Sequence, residues 1–233
     1  MSIKFLRFKN KGSIAKEIVK LMIGKFEKQK SRKILISGGT SLNFIYEYIL
    51  KRRYNLNKVS FILSDERMVS KKSTRLNSLN IINNFIEKLD TNNKPSFIYP
   101  SPDTFVRENK NICDFYKKEL SDSPELAIMG VGDDGHICSI FYEKTEIIYQ
   151  KSPFIICKRT NEDFNRISLN METLQKIPEI IFVITTKSKK KILSQMREFK
   201  KNHGDESFKI PILFLLSTYK GNCKVYFSDE VYN

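Results

Sequence analysis

The stretch ELAIMGVGDDGHICSIF (125–141) decides the fold. It opens as a short apolar run, the form taken by a strand buried in a sheet, and stops at a glycine-rich, acidic turn. The same alternation runs outward from it in both directions. Toward the N-terminus, Ile14, Ile18, Leu21, Met22 and Phe26 recur at helical spacing, and KILIS (33–37) reads as a buried strand. A helix over 42–53, the strand VSFIL (59–63) and helices over 76–89 and 107–120 follow. Toward the C-terminus, FIICK (154–158) and RISLN (166–170) are short strands, and EIIFVIT (179–185) is a central one leading into a lysine-rich helix. Apolar runs at 212–216 and 224–227 finish the chain, while the alternating MSIKFLRFKN (1–10) is its first strand.

Strands alternating with helices imply βαβ units: an α/β fold with a mostly parallel sheet, helices on both faces, and ligands at the C-terminal strand ends. The segment 95–102, rich in proline, reads as a surface loop. There is no internal repeat, low-complexity tract or Gly/Pro/Ser linker, so 1–233 is expected to form a single domain.

Composition narrows the function classes. An apolar fraction of 40% with 29% charged residues is globular, and no apolar run approaches the ~20 residues of a membrane span. The N-terminus lacks the apolar stretch and cleavage site of a secretion signal, so a cytoplasmic protein is expected. Cys113, Cys138, Cys157 and Cys223 are scattered, which favours reduced structural thiols over a zinc site or a disulfide framework, and no metal or cofactor is expected. The net charge of +15 would attract phosphates, nucleic acid or acidic membranes. It is spread along the chain, with clusters at 51–53 and 187–191, and reads first as solvated surface. No interleaved basic and aromatic platform accompanies it, so nucleic acid is not an expected partner.

Three strand ends carry the chemistry, and in a parallel sheet they face one cleft. In SGGTS (37–41), Gly38 and Gly39 let backbone approach a ligand, while Thr40 and Ser41 supply hydroxyls and amides at a helix start, which makes a phosphate cradle. In SDER (64–67), Arg67 can hold a phosphate bidentately, and one of Asp65 and Glu66 can be purely structural. In GVGDDGH (130–136), three glycines frame His136, one of two histidines in the chain. His136 can serve as a general base, and Asp134 can fix its tautomer. His203 lacks such a context and reads as loop surface, and Cys138 as a small packing residue.

Taken together, SGGTS, DER followed by Asn77, and GVGDDGHICSIF resemble the 6-phosphogluconolactonase family, grouped with the glucosamine-6-phosphate deaminases among Rossmann-like folds. The pattern Gly-x-Gly-x-Asp-Gly-His-Thr-Ala-Ser-Leu-Phe is matched at Asp134, Gly135, His136, Ser139 and Phe141. Arg67 and the Ser139-Ile140-Phe141 continuation resemble the lactonases more than the deaminases. The chain departs from the pattern at Leu42, Leu76, Thr186, Ile137 and Cys138. The resemblance implies that 6-phospho-D-glucono-1,5-lactone is hydrolysed to 6-phosphogluconate in the pentose phosphate pathway. It also implies that His136 and Asp134 are catalytic and that Gly38, Gly39, Thr40, Ser41, Asp65, Arg67, Asn77, Gly132, Arg166 and Lys189 bind substrate. Either turn amides or a cationic side chain would then stabilise the oxyanion, in a monomer or weak homodimer. The competing expectations are a glucosamine-6-phosphate deaminase or sugar-phosphate isomerase, and a non-catalytic sugar-phosphate sensor.

Overall fold

A computed structural model describes residues 3–24, 32–101, 118–141, 153–199 and 209–233. His203, Cys113 and most of the helix expected over 107–120 lie outside these residues.

Seven strands, β1 (Ile3–Phe8), β2 (Arg32–Ile36), β3 (Val59–Leu63), β5 (Ser96–Ile98), β6 (Leu126–Gly130), β9 (Glu179–Ile184) and β10 (Asn222–Ser228), form one sheet. Its order is β1-β10-β9-β6-β2-β3-β5, and every neighbouring pair is parallel. The inner strands β2, β3, β6 and β9 are apolar on both sides because both faces are covered, whereas the edge strands β1 and β5 carry exposed positions. Ile34 and Ile36 of β2 point into one core and Leu35 into the other; in β9, Ile181 and Val183 oppose Ile180, Phe182 and Ile184.

The first core is closed by α1 (Lys11–Gly24), α2 (Asn43–Arg52) and α3 (Asn77–Asn84). α1 contributes Ile14, Ala15, Ile18, Val19 and Met22, the inward stripe of a 3.6-residue period. The second core is closed by α4 (Met171–Gln175), α5 (Lys190–Glu198) and α6 (Pro211–Thr218). In α5, Ile192, Leu193 and Met196 face inward and the lysines outward. The result is the α/β architecture expected, with helices on both faces. Among the described residues, no helix is long and apolar enough to cross a membrane.

Three local expectations need correction. Residues 95–102 are not all loop: Ser96–Ile98 form β5, an edge strand in parallel register with β3, and the prolines sit outside the paired residues. The helix expected over 76–89 ends at Asn84 and resumes as a single tight turn, Ile86–Lys88. Between them Phe85 leaves helical geometry to bury its ring against Tyr46, with ring centres 4.5 Å apart. Finally, β4 (Asp65–Arg67), β7 (Phe154–Cys157) and β8 (Arg166–Leu169) stand apart as a small antiparallel sheet, ordered β4-β8-β7.

From β2 the chain moves outward to β3 and β5, then returns to place β6 on the other side of β2. The loops after β2 and β6 therefore diverge and leave a crevice between them.

Candidate active site

That crevice holds a cavity of about 390 Å³. His136, Asp134, Gly38, Gly39, Ser41, Asp65, Arg67, Asn77, Gly132, Arg166 and Lys189 line it, so the structure brings together nearly all the residues singled out from sequence. Thr40 is the exception. It lines a neighbouring cavity that shares Ser41 and Lys189 with the first, and its carbonyl accepts the Asn43 N–H at 3.2 Å at the start of α2.

The SGGTS loop is fixed from below by Asn77. Its Oδ1 accepts the Gly39 N–H at 3.1 Å while its Nδ2 donates to the Asp65 carbonyl at 3.0 Å. A Cβ on Gly38 would sit 2.1 Å from the Asn77 side chain, so only glycine allows this approach. Across the crevice the Gly130 N–H donates to Ser37 Oγ at 2.9 Å, tying the β6 end to the β2 end.

The two acids of SDER divide their labour. Glu66 is fully buried and accepts backbone N–H groups from Arg67 at 2.7 Å, Asn77 at 2.8 Å and Ser78 at 2.7 Å, the last two opening α3. Burial pushes its carboxyl up, against the pull of these bonds. Asp65 faces the cavity and accepts from Ser64 Oγ at 2.9 Å and Ser139 Oγ at 2.7 Å. The register between β4 and β8 sets Arg67 directly opposite Arg166, a like-charge pair that a sheet normally disfavours. Glu162 offsets one member by accepting from both Nε and Nη2 of Arg166. Arg67 donates to the Arg75 carbonyl, while its Nε is buried with no hydrogen-bond partner among the described residues. Burial, then the charge of Arg166, lowers its affinity for its proton. On the opposite wall Lys189 Nζ donates to Ser41 Oγ at 3.2 Å, and burial likewise shifts this amine down.

The GVGDDGH turn closes on itself. The Gly132 N–H donates to the His136 carbonyl at 2.9 Å, and the Gly135 N–H to the Gly132 carbonyl at 3.0 Å. A Cβ on Gly132 would fall 2.1 Å from His136 Nδ1, so the missing side chain is the space the imidazole occupies. His136 Nδ1 lies 2.5 Å from Asp134 Oδ1. The hydrogen bond to His136, and after it the charges of His136 and Arg159, hold the Asp134 carboxyl well below the ordinary aspartate value of 3.8, although partial burial opposes this. An ionised carboxylate only accepts, so Nδ1 carries the hydrogen, and in the neutral imidazole the lone pair is then on Nε2.

Since the folded value is depressed, the stability Asp134 lends is present above pH 3.8 and fades as pH falls toward the folded value. The difference in unfolding free energy between the wild type and Asp134→Asn is expected to narrow as pH falls below that point. Urea titrations at stepped pH measure it, and the effect is small because the carboxylate is 39% exposed.

Sequence reasoning missed Arg159. It donates from Nη2 to Asp134 Oδ2 at 2.9 Å and lines the cavity. The available signal was the basic pair Lys158-Arg159 at the end of FIICK. That strand belongs to the antiparallel sheet, where the rule that ligands gather at parallel strand ends gives no guidance. Ser37, Gly130, Val131, Asp133 and Cys138 also line the cavity. Burial, and then the charge of Asp65, pushes the Cys138 thiol well above its ordinary value, so the thiolate a nucleophile needs does not form.

Residues 10–219 match the family described as glucosamine-6-phosphate isomerases/6-phosphogluconolactonase. A 6-phosphogluconolactonase of Thermotoga maritima is 30% identical over 168 residues, which span 70% of this chain and 73% of that protein. A crystal structure of a T. maritima 6-phosphogluconolactonase superposes with a TM-score of 0.77 at 22% identity, covering 97% of this chain and 99% of that one. A monomeric glucosamine-6-phosphate deaminase superposes equally, at 0.77 and 11% identity over 98% of each chain, so the fold alone does not separate the two activities. Sequence match and architecture agree: the chain belongs to the glucosamine-6-phosphate isomerase/6-phosphogluconolactonase family.

Proposed function

We propose that the protein hydrolyses 6-phospho-D-glucono-1,5-lactone to 6-phospho-D-gluconate, a step of the oxidative pentose phosphate pathway, with His136 as general base. The observation that carries this reading is a histidine whose Nδ1 is tied to an ionised aspartate, on the wall of a cavity that also holds Arg67, Arg159, Arg166 and Lys189. A phosphate of about −1.5 to −2 charge is the ligand such a cavity favours. It would offset the opposed Arg67 and Arg166, give the buried Arg67 Nε an acceptor, and return to Lys189 the counter-charge that burial withholds.

With the phosphate anchored there, the lactone carbonyl reaches toward His136. Nε2 takes a proton from a water as its oxygen bonds to C1. The tetrahedral intermediate then collapses, the bond between C1 and the ring oxygen breaks, and the imidazolium returns its proton to that oxygen. Asp134 keeps the ring oriented and compensates its transient charge. Asp65, which lines the same cavity, would accept a hydroxyl of the sugar beside the Ser64 and Ser139 hydroxyls it already accepts.

Acid release from freshly generated 6-phosphogluconolactone, followed beside ammonia release from glucosamine 6-phosphate, tests the assignment. Lactone turnover well above the spontaneous rate is expected, with no deamination. The reverse pattern makes the protein a deaminase, and inactivity on both removes the enzymatic reading.

A further inference from the structure

We propose that Arg159 is a catalytic residue of this reaction: its guanidinium takes the negative charge that develops on the C1 oxygen and then holds the C1 carboxylate of the product. This rests on the hydrolase reading above.

The turn around His136 offers fewer donors than its glycines suggest. The glycine amides a substrate oxygen might have met are committed: Gly130 to Ser37 Oγ, Gly132 to the His136 carbonyl and Gly135 to the Gly132 carbonyl. The other cations are held by other partners. Arg166 is held twice by Glu162 and lies opposite Arg67, and Lys189 is bonded to Ser41. Arg159 is the cation that shares a carboxylate with the base: Asp134 offers Oδ1 to His136 and Oδ2 to Arg159.

The ring of Phe141 sets the spacing. The His136 ring centre lies 5.0 Å from the Phe141 centre and the Arg159 guanidinium carbon 5.1 Å from it, so imidazole and guanidinium share one buried aromatic; the Arg166 guanidinium carbon lies 5.5 Å from the same ring but is held by Glu162. A guanidinium has five N–H donors, and the bond to Asp134 uses one of them. Its planar fork matches the two oxygens that hydrolysis leaves on C1. Its neighbour Asp134 is ionised throughout, so the cation is oriented before substrate arrives and needs no rearrangement as charge develops.

The test compares two ligands that differ only at C1. 6-Phosphogluconate carries a carboxylate there, and glucitol 6-phosphate carries a neutral CH2OH. Affinities for both are measured by calorimetry on the wild type, Arg159→Met and Arg159→Lys, beside kcat and KM for the lactone. In Arg159→Met, 6-phosphogluconate is expected to bind about ten-fold more weakly or worse, glucitol 6-phosphate is expected to bind as before, and kcat is expected to fall about 10²-fold. Arg159→Lys keeps the charge without the fork and falls between. The side chain is 39% exposed, so the fold should survive, and matched thermal melts check it. Equal weakening of both ligands, or an unchanged preference for the carboxylate, overturns the inference while lactone turnover by the wild type leaves the hydrolase reading intact. A wild type that neither binds these ligands nor hydrolyses the lactone overturns both.

Discussion

His136→Asn is expected to hydrolyse the lactone ~10²- to 10⁴-fold more slowly than the wild type, equivalent to roughly 3 to 5.5 kcal/mol of barrier. The substitution is chosen for what it leaves alone. Asparagine can still donate toward Asp134 and fits the space beside Gly132 that a larger side chain would not. It cannot take a proton from water near neutral pH. The cations that would anchor the phosphate belong to β4, to β8 and to the turn before α5, none of which the substitution touches. Affinity for 6-phosphogluconate should therefore hold while kcat falls. The measurement is acid release with the spontaneous rate subtracted. A variant with wild-type kcat would falsify the assignment of the base.

Glu66→Ala is expected to lower stability by about 3 to 5 kcal/mol and the melting temperature by about 10 °C. The carboxylate is fully buried and accepts three backbone N–H groups, two of them at the start of α3. An unmet buried donor costs about 1 to 3 kcal/mol, and the vacated volume adds to this. The damage should also reach the binding loop, since Asn77 joins this helix start to the Gly39 amide. Chemical denaturation with CD detection gives the free energy, and loss of phosphate-ligand affinity in the still-folded protein reports the second effect. Stability within 1 kcal/mol of the wild type would show that water replaces the carboxylate, and that Glu66 is not the anchor it looks to be.

Most of the site could be seen in the sequence because its parts are local. SGGTS, SDER and GVGDDGH each sit at the end of an apolar strand, and the parallel sheet brings those ends together without further specification. The Asp134–His136 contact spans two residues, so the motif contains it entirely. What escaped depends on pairing between distant segments. The sequence could not distinguish Asp65, which faces the cavity, from Glu66, which caps α3, because strand register decides which way each points. β5 escaped because three paired residues between prolines look like loop until β3 lies beside them. Thr40 lines the neighbouring cavity, a placement that membership of a phosphate-cradle motif does not specify. Arg159 escaped because it belongs to no recognised motif and follows β7, whose pairing with β8 depends on distant segments.

The strand order also bears on the sequence of assembly. Among the described residues β1 pairs with β10 alone, in a register running from Ile3 with Cys223 to Phe8 with Ser228. That contact closes nearly the whole chain into a loop, and closure entropy must be met before the pairing gives anything back. β2, β3 and β6 pair at shorter separations, and their ends frame the crevice. β1 is thus expected to be seated late, and the heart of the cleft can take shape before that edge of the sheet is paired.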